Sequence, residues 1–250
     1  MAWVETTSLS FAARHDSSQA EAAVRVLDEL EAFRDSLRAL FESTPGEVAV
    51  IIHPRPVMLA FAHPWLPLAR MAAAPASRRY FAGWFTSGEI HVLALPALER
   101  RSSGVEGSLE ALRLTPQHEY SHIVIGAQNP DLPPPFTPGT FRRYVRRAWL
   151  CEGAATWLSG QTRHLRAAIV RRLREGGRPA FPPSTGDAQL LGGTLFAMLE
   201  EESGAEASVA LAATREDVRD RPAIERAFGR PAAAVERDWR SYLESLGAGG

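Results

Sequence analysis

Hydrophobic and polar positions follow two different periods in the first part of the chain. Apolar and polar residues alternate over 9–16, which predicts a first strand. Ser18 and Glu21 then have the spacing of a capping box, which predicts the start of a helix. The apolar residues that follow recur at helical spacing, and they are Ala23, Leu27, Leu30, Leu37, Leu40 and Phe41. A β-branched run at 48–52 predicts a second, buried strand.

A β-hairpin and a series of helices are predicted further along the chain. The proline-rich stretch 53–76 follows neither period. Strand-like runs at 80–85 and 90–95 flank a short polar turn that contains glycine, which predicts the hairpin. Helical spacing then dominates, and it predicts helices at 141–159, 163–174 and 187–202 and a last helix that begins at Pro231.

These elements predict an α+β fold with a small mixed β-sheet and a mostly helical C-terminal half. The chain has 250 residues, of which 45% are hydrophobic, and it is long enough to bury a sizeable core. No internal repeat or linker divides it. We therefore expect a single domain over 1–250, with strands, a helix and a hairpin in 1–110 and helices in 111–250.

Charge and hydropathy narrow the function classes. The net charge of −1 gives no overall field that would attract nucleic acid or an anionic membrane. No signal peptide is visible, and no run approaches the roughly 18 apolar residues of a membrane span. We therefore expect a cytoplasmic protein with neither nucleic acid nor a membrane as partner. The single cysteine, Cys151, excludes an intramolecular disulfide, and we expect it to be a small buried residue.

The candidate chemistry centres on the motif His118-Glu119-Tyr120-Ser121-His122. Thr115 and Pro116 have the residue types of an N-cap and a first helical position, so a helix can begin there. On a helix His118 and His122 project from one face, where their ring nitrogens can bind one Zn²⁺. Glu119 is then placed to accept a proton from a water molecule at the metal.

A third ligand is expected downstream, because a catalytic zinc site takes three protein ligands and one open position. The segment 148–155 places Glu152 among apolar and small residues, where an unpaired carboxylate would be costly. A bound cation would explain its presence. Gly153, Ala154 and Ala155 would allow this helix to approach the helix of the two histidines closely.

The two motifs together, HEYSH and WLCEGAA, resemble those of the gluzincins, the metallopeptidases of clan MA with two histidines and a downstream glutamate as ligands. The second motif is similar to the corresponding segment of the M1-like aminopeptidases. The resemblance implies a zincin-like domain, zinc binding by His118, His122 and Glu152, and general-base action by Glu119. It also implies a peptide or protein substrate, which binds by β-augmentation along the last strand of the sheet. That strand would be 88–95, unless it only supports the active-site helix.

The chain departs from the family pattern at two places. The predicted helix 187–202 has no tyrosine to stabilise an oxyanion, so Tyr144, His164 or Tyr242 would have to supply the hydrogen bond. The glycine-rich segment that holds the substrate amine in M1 enzymes is also missing. We therefore expect a zinc-dependent endopeptidase rather than an aminopeptidase. The alternative is a zinc-bearing domain of weak activity that binds peptides or partner proteins.

The remaining histidines have no ligand spacing. The sequence predicts surface or turn positions for His15, His53, His63, His91 and His164. The arginines of 142–147 and 163–174 could recognise an acidic substrate, but a solvated helix surface balanced by acidic residues is the favoured interpretation. The oligomeric state is not predictable from these features.

Overall fold

A mixed β-sheet of five strands forms the first part of the computed structural model, which describes residues 2–63, 66–102, 104–214 and 220–248. The strands are β1 (Trp3–Thr7), β2 (Phe11–Asp16), β3 (Val48–His53), β4 (Gly83–Phe85) and β5 (Glu89–Leu93). Their order in the sheet is β1-β2-β3-β5-β4. β2, β3 and β5 are parallel, whereas β1 and β4 lie antiparallel at the two edges.

Helices surround the sheet and form the rest of the chain. Helix α1 (Ala20–Arg38) connects β2 to β3, and α2 (Pro56–Ala62) and α3 (Leu66–Ala72) lie between β3 and β4. The helices that follow β5 are α4 (Leu95–Ser102), α5 (Ser108–Arg113), α6 (Thr115–Gln128), α7 (Pro138–Arg146), α8 (Ala148–Leu158), α9 (Arg166–Arg174), α10 (Ala188–Ser203), α11 (Ala205–Ala212), α12 (Asp220–Phe228) and α13 (Ala232–Ala248). Short 3₁₀ helices occur at Ser17–Gln19, Arg78–Tyr80 and Gln161–His164.

The α+β class predicted from the sequence is confirmed. The predicted helix after the first strand is α1, and it buries Ala23, Leu27, Leu30 and Leu37, which were predicted on its apolar face. The predicted hairpin is the antiparallel pair β4–β5. Strand β1 was not predicted, because it lies at an edge with mostly exposed side chains and has no apolar period.

Two local predictions were wrong. The predicted helix 141–159 is two helices, because Arg147 has φ −112° and ψ 30° and interrupts the helical backbone between α7 and α8. The capping box of Ser18 and Glu21 does not form. Instead Asp16 accepts hydrogen bonds from the backbone N–H and the hydroxyl of Ser18, at 3.0 and 2.6 Å.

Two apolar clusters share helix α6. The first packs the sheet against α1, and it includes Tyr120, Ile123 and Val124 of α6. The second joins the C-terminal helices and includes Ile125. α6 buries 13 of its 14 residues, as is typical of a helix with neighbours on all sides. In the part of the chain that the structure describes, no helix combines the length and the apolar character needed to cross a bilayer.

Candidate metal centre

Helix α6 presents His118 and His122 from one face, as the four-residue spacing predicts. Their Nε2 atoms lie 3.2 Å apart, and both side chains are buried. The ring of Phe85, from the edge strand β4, stacks on the ring of His122 with a centroid distance of 4.2 Å. This stacking fixes the orientation of one imidazole from the side of the sheet.

Helix α8 places the carboxylate of Glu152 against both imidazoles. Its oxygens lie 3.3 Å from Nε2 of His118 and 3.5 Å from Nε2 of His122. Among the described residues, His118, His122 and Glu152 form the one group of three side chains whose donor atoms all lie within 4.8 Å of one another. The structure therefore brings together the three residues that the sequence predicted as ligands.

The donor set fits a tetrahedral divalent cation. Ligand bonds of about 2.1 Å at tetrahedral angles separate the donor atoms by about 3.4 Å. Here the two Nε2 atoms are 3.2 Å apart, Oε2 of Glu152 is 3.3 Å from Nε2 of His118, and Oε1 of Glu152 is 3.5 Å from Nε2 of His122, so each imidazole meets a different oxygen of the carboxylate at close to this separation. Two imidazole nitrogens and one carboxylate also match the ligand preferences of zinc. A buried group with these distances and this chemistry could hold a metal ion.

Burial and the neighbouring side chains shift the pKa of each of these three residues. Burial alone would raise the pKa of Glu152, but His122, His118 and the Tyr144 hydroxyl outweigh it and keep that pKa below its ordinary value. Burial would lower the pKa of His118, but the hydrogen bond and the charge of Glu152 raise it. Burial also lowers the pKa of His122, so its ring is neutral and free to ligate a cation through nitrogen.

Glu119 lies beside the donor set and against the edge strand β4. A Cβ built on Gly83 would be 2.4 Å from Oε1 and 2.7 Å from Cγ of Glu119, so only a glycine fits at this point of the strand. Burial raises the pKa of Glu119 to about 8, Glu152 adds to the increase and His118 opposes it. A carboxyl group with a raised pKa close to a cation site is a candidate proton carrier.

The sequence left three candidates for the hydrogen bond to an oxyanion, and Tyr144 of α7 is the one that lies at the site. Its hydroxyl donates a hydrogen bond to Oε1 of Glu152. His164 and Tyr242, the other two candidates, line separate cavities. The sequence could not choose among them, because Tyr144 precedes Glu152 on a different helix and reaches the site only through the turn at Arg147.

A cavity of about 310 Å³ opens onto these groups. Its polar residues include His118, Glu119, His122, Tyr144 and Glu152, and the remainder of its wall is largely apolar, with side chains from α3, β4 and α7: Leu66, Leu68, Ala69, Ala72, Trp84, Phe85, Phe141 and Val145. No arginine is among the described residues that line it. Arg143 instead pairs with Asp131, and Arg172 pairs with Asp187 at 2.5 Å.

The prediction that 88–95 is the exposed edge of the sheet was wrong. β5 pairs with β3 on one side and with β4 on the other, so its backbone is not available to an added strand. β4 is the edge strand next to the site. The alternative reading, a strand that supports the active-site helix, fits β5, because Ile90 and Val92 pack in the same apolar cluster as Ile123 and Val124.

Two further predictions about individual residues need correction. His15, His53 and His91 are buried rather than at the surface, and His63 is half-buried. Gly153 packs against Gly192 of α10 rather than against α6, because a Cβ on it would be 2.6 Å from the carbonyl carbon of Gly192. Cys151 is buried in the helical cluster, as expected.

Comparisons of the chain with protein-family models, with curated proteins and with solved structures gave no significant match.

Proposed function

We propose that this protein is a zinc-dependent peptidase of the gluzincin type with a zincin-like fold. The observation that carries the proposal is the buried group of His118, His122 and Glu152, whose donor atoms lie within 4.8 Å of one another and which lines a cavity together with Glu119. An ion pair that served stability alone would not need two imidazoles and a carboxylate on the wall of a cavity. Zinc bound there would polarise a water molecule and a peptide carbonyl.

The residues of the chain supply the proton transfers. Glu119 accepts a proton from the attacking water and passes it to the leaving amine, a role that suits a carboxyl group whose pKa is raised to about 8. Its position against Gly83 places it between the donor set and the edge strand. A substrate in extended conformation would pair with β4 and so bring its scissile bond between Glu119 and the three ligands.

Tyr144 supplies the hydrogen bond to the oxyanion. Its hydroxyl already reaches Glu152, so a small rotation toward the cavity would aim it at the carbonyl oxygen of a bound peptide. This residue removes the main reason for the alternative function, a weakly active peptide-binding domain, which rested on the missing tyrosine in 187–202. We favour endopeptidase action, since the amine-binding segment of M1 enzymes is missing from the sequence.

Metal content tests the site directly. We expect about one zinc ion per chain in the wild type and a loss of most of it in Glu152→Ala, because two ligands hold zinc weakly. Glu206→Ala, an exposed change on α11, is the matched control and should keep its zinc. Equal zinc content in all three proteins after reconstitution would refute the assigned ligands.

Hydrolysis tests the activity. A quenched peptide library should be cleaved by the wild type and not by Glu119→Gln, which keeps the three ligands and removes the proton acceptor. Cleavage that persists in a preparation of Glu119→Gln would show that another protein or another site is responsible. Zinc binding without cleavage of any peptide would favour the alternative function.

A further inference from the structure

A second group of histidines lies on the opposite face of the sheet from α6. His53 ends β3, His91 lies within β5 and His63 follows α2. Nε2 of His53 is 3.0 Å from Nδ1 of His91, and the rings stack with centroids 5.3 Å apart. The ring of His63 meets that of His91 edge-on at 4.1 Å. Sequence spacing gave no signal for this group, because its members come from three separate elements.

The group lacks the geometry of a metal site. Among the described residues, no group of three or more potential ligands other than His118, His122 and Glu152 has all its donor atoms within 4.8 Å of one another. Nδ1 of His53 and Nε2 of His63 are instead buried with no hydrogen-bond partner in the described part of the protein. Ring nitrogens of this kind are neutral in the packed state and can take up protons when they reach water.

Few charges face the three rings. The carboxylate of Glu89 on β5 lies 3.5 Å from Nε2 of His91, and its side chain is 45% exposed. Arg14 lies two strands away in the same row of the sheet and pairs with Glu5 of β1. Strand β4 and helix α2 contribute no charged residue, Arg55 precedes α2, and α3 carries Arg70, whose Nε is buried. Protons on two of the rings would therefore repel each other with little compensation.

The histidines contact one wall of the cavity of the candidate metal centre. Trp84 of β4 is the register partner of His91, and its ring lies 5.7 Å from that of His63. The ring of Trp84 also stacks on that of Phe136, with centroids 5.3 Å apart. Trp84 lines the cavity, together with Leu66, Leu68, Ala69 and Ala72 of α3. A movement of α2 and α3 away from the sheet would therefore change the shape of the cavity.

We propose that His53, His63 and His91 form an acid-sensitive latch, which holds α2 and α3 on the sheet at neutral pH and releases them on acidification. The histidine latch goes beyond the proposed peptidase activity and does not depend on it, since it needs neither zinc nor a substrate. It makes the shape of the cavity depend on pH through residues that take no part in the chemistry.

The direction of the effect follows from proton linkage. Burial, with a contribution from the neighbouring imidazoles, lowers the pKa of His63 and of His91 from 6.5 to about 4, and it also lowers the pKa of His53. Between pH 6.5 and pH 4 the released form binds protons that the packed form does not bind, so acidification favours release. One histidine with this difference in pKa favours release about 30-fold at pH 5.

Hydrogen exchange measured by mass spectrometry at pH 7 and pH 5 tests the latch. After correction for the intrinsic rate of exchange, we expect protection of α2 and α3 to fall at least about tenfold at pH 5, while α1 and α6 stay protected. The double variant His63→Gln, His91→Gln removes two of the three rings, and the difference between the two pH values should fall to the part that His53 alone contributes. His164→Gln, a histidine outside the latch, is the control and should behave as the wild type.

Each other outcome would overturn the proposal. Equal protection of α2 and α3 at both pH values in the wild type would show that protonation does not release them. A loss of protection in α1 and α6 at the same pH would indicate global acid unfolding. An unchanged pH dependence in the double variant would assign it to other groups. If circular dichroism shows that the double variant does not fold, the half-buried single change His63→Gln takes its place, with at least a tenfold smaller pH effect expected.

Discussion

Gly153 of α8 lies in direct backbone contact with Gly192 of α10. A Cβ on Gly153 would lie 2.6 Å from the carbonyl carbon of Gly192, and a Cβ on Gly192 would lie 2.8 Å from Cα of Gly153. Neither position leaves room for a side chain, and the nearest atoms are backbone atoms that cannot rotate away. Because Glu152 precedes Gly153, the close crossing of these helices also sets the position of the third candidate ligand.

We expect Gly153→Ala to lower the free energy of unfolding by about 1 to 3 kcal/mol, because the added methyl group overpacks the crossing. Urea denaturation followed by circular dichroism measures the change. Gly247→Ala, in the last helix with no atom within 4 Å of the added Cβ, is the matched control. It should be neutral or stabilising by up to about 1 kcal/mol. Equal effects at the two positions would contradict the close packing.

Gly83→Ala should reduce peptide hydrolysis by about 10²-fold, because the new Cβ would displace the carboxylate of Glu119 or shift the edge strand. The zinc content should not change, since no metal ligand is touched. Gly88→Ala, at the other end of the hairpin with nothing within 4 Å of its Cβ, should retain wild-type rates. Steady-state kinetics on one cleaved peptide compares the variants, and normal activity of Gly83→Ala would show that the close contact of Gly83 does not set the working position of Glu119.

Tyr144→Phe should lower kcat by about 10² to 10³, the effect of losing one hydrogen bond to an oxyanion. KM and zinc stoichiometry should change little, because the ring and the three ligands remain. Tyr242→Phe, in a different cavity, is the control. A variant that loses zinc in proportion to its activity would show that Tyr144 positions Glu152 and does not act on the substrate.

The ionisation of Glu31 should make the free energy of unfolding depend on pH under acidic conditions. Its Oε1 accepts hydrogen bonds from the Ser8 hydroxyl at 2.7 Å and from the Ser10 N–H at 2.5 Å. Burial alone would raise the pKa of Glu31, but these bonds lower it below its ordinary value of 4.5. The stability that the carboxylate contributes is therefore present above pH 4.5 and is lost as the pH falls below it.

Glu31→Gln should accordingly cost about 1 to 2 kcal/mol of unfolding free energy at neutral pH and less at pH 3.5. Urea denaturation at the two pH values measures the difference between wild type and variant. Glu21→Gln is the control, since that side chain is 89% exposed in its pair with Arg25 and should contribute little at either pH. A cost for Glu31→Gln that does not vary with pH would contradict the assigned hydrogen bonds.

The sequence predicted the features that have a local period or a fixed spacing. The buried face of α1, the hairpin, and the grouping of His118, His122 and Glu152 follow from residues that are near in sequence or from chemistry that requires a partner. The order of strands in the sheet cannot be predicted from a local period or a fixed spacing. β5 pairs with both β3 and β4, and nothing in 88–95 distinguishes an inner strand from an edge strand.

The buried histidines show the same limit. An isolated histidine is polar and commonly exposed, so His53 and His91 gave no sign that strand pairing would place them face to face. Tyr144 was one of three candidates for the same reason, because its approach to Glu152 depends on how α7 turns into α8. Contacts between elements that are distant in sequence required the fold itself.

The near-complete burial of α6 determines which positions of this protein can accept substitutions during evolution. A helix with 13 of 14 residues buried cannot rotate or slide without loss of packing on every side, so the donor geometry is rigid before any ligand arrives. The cavity wall is different, since Leu68, Phe141 and Val145 are partly exposed and can be exchanged at little cost. Substitutions in the wall would therefore change the shape of the cavity while the imidazoles of His118 and His122 keep their positions.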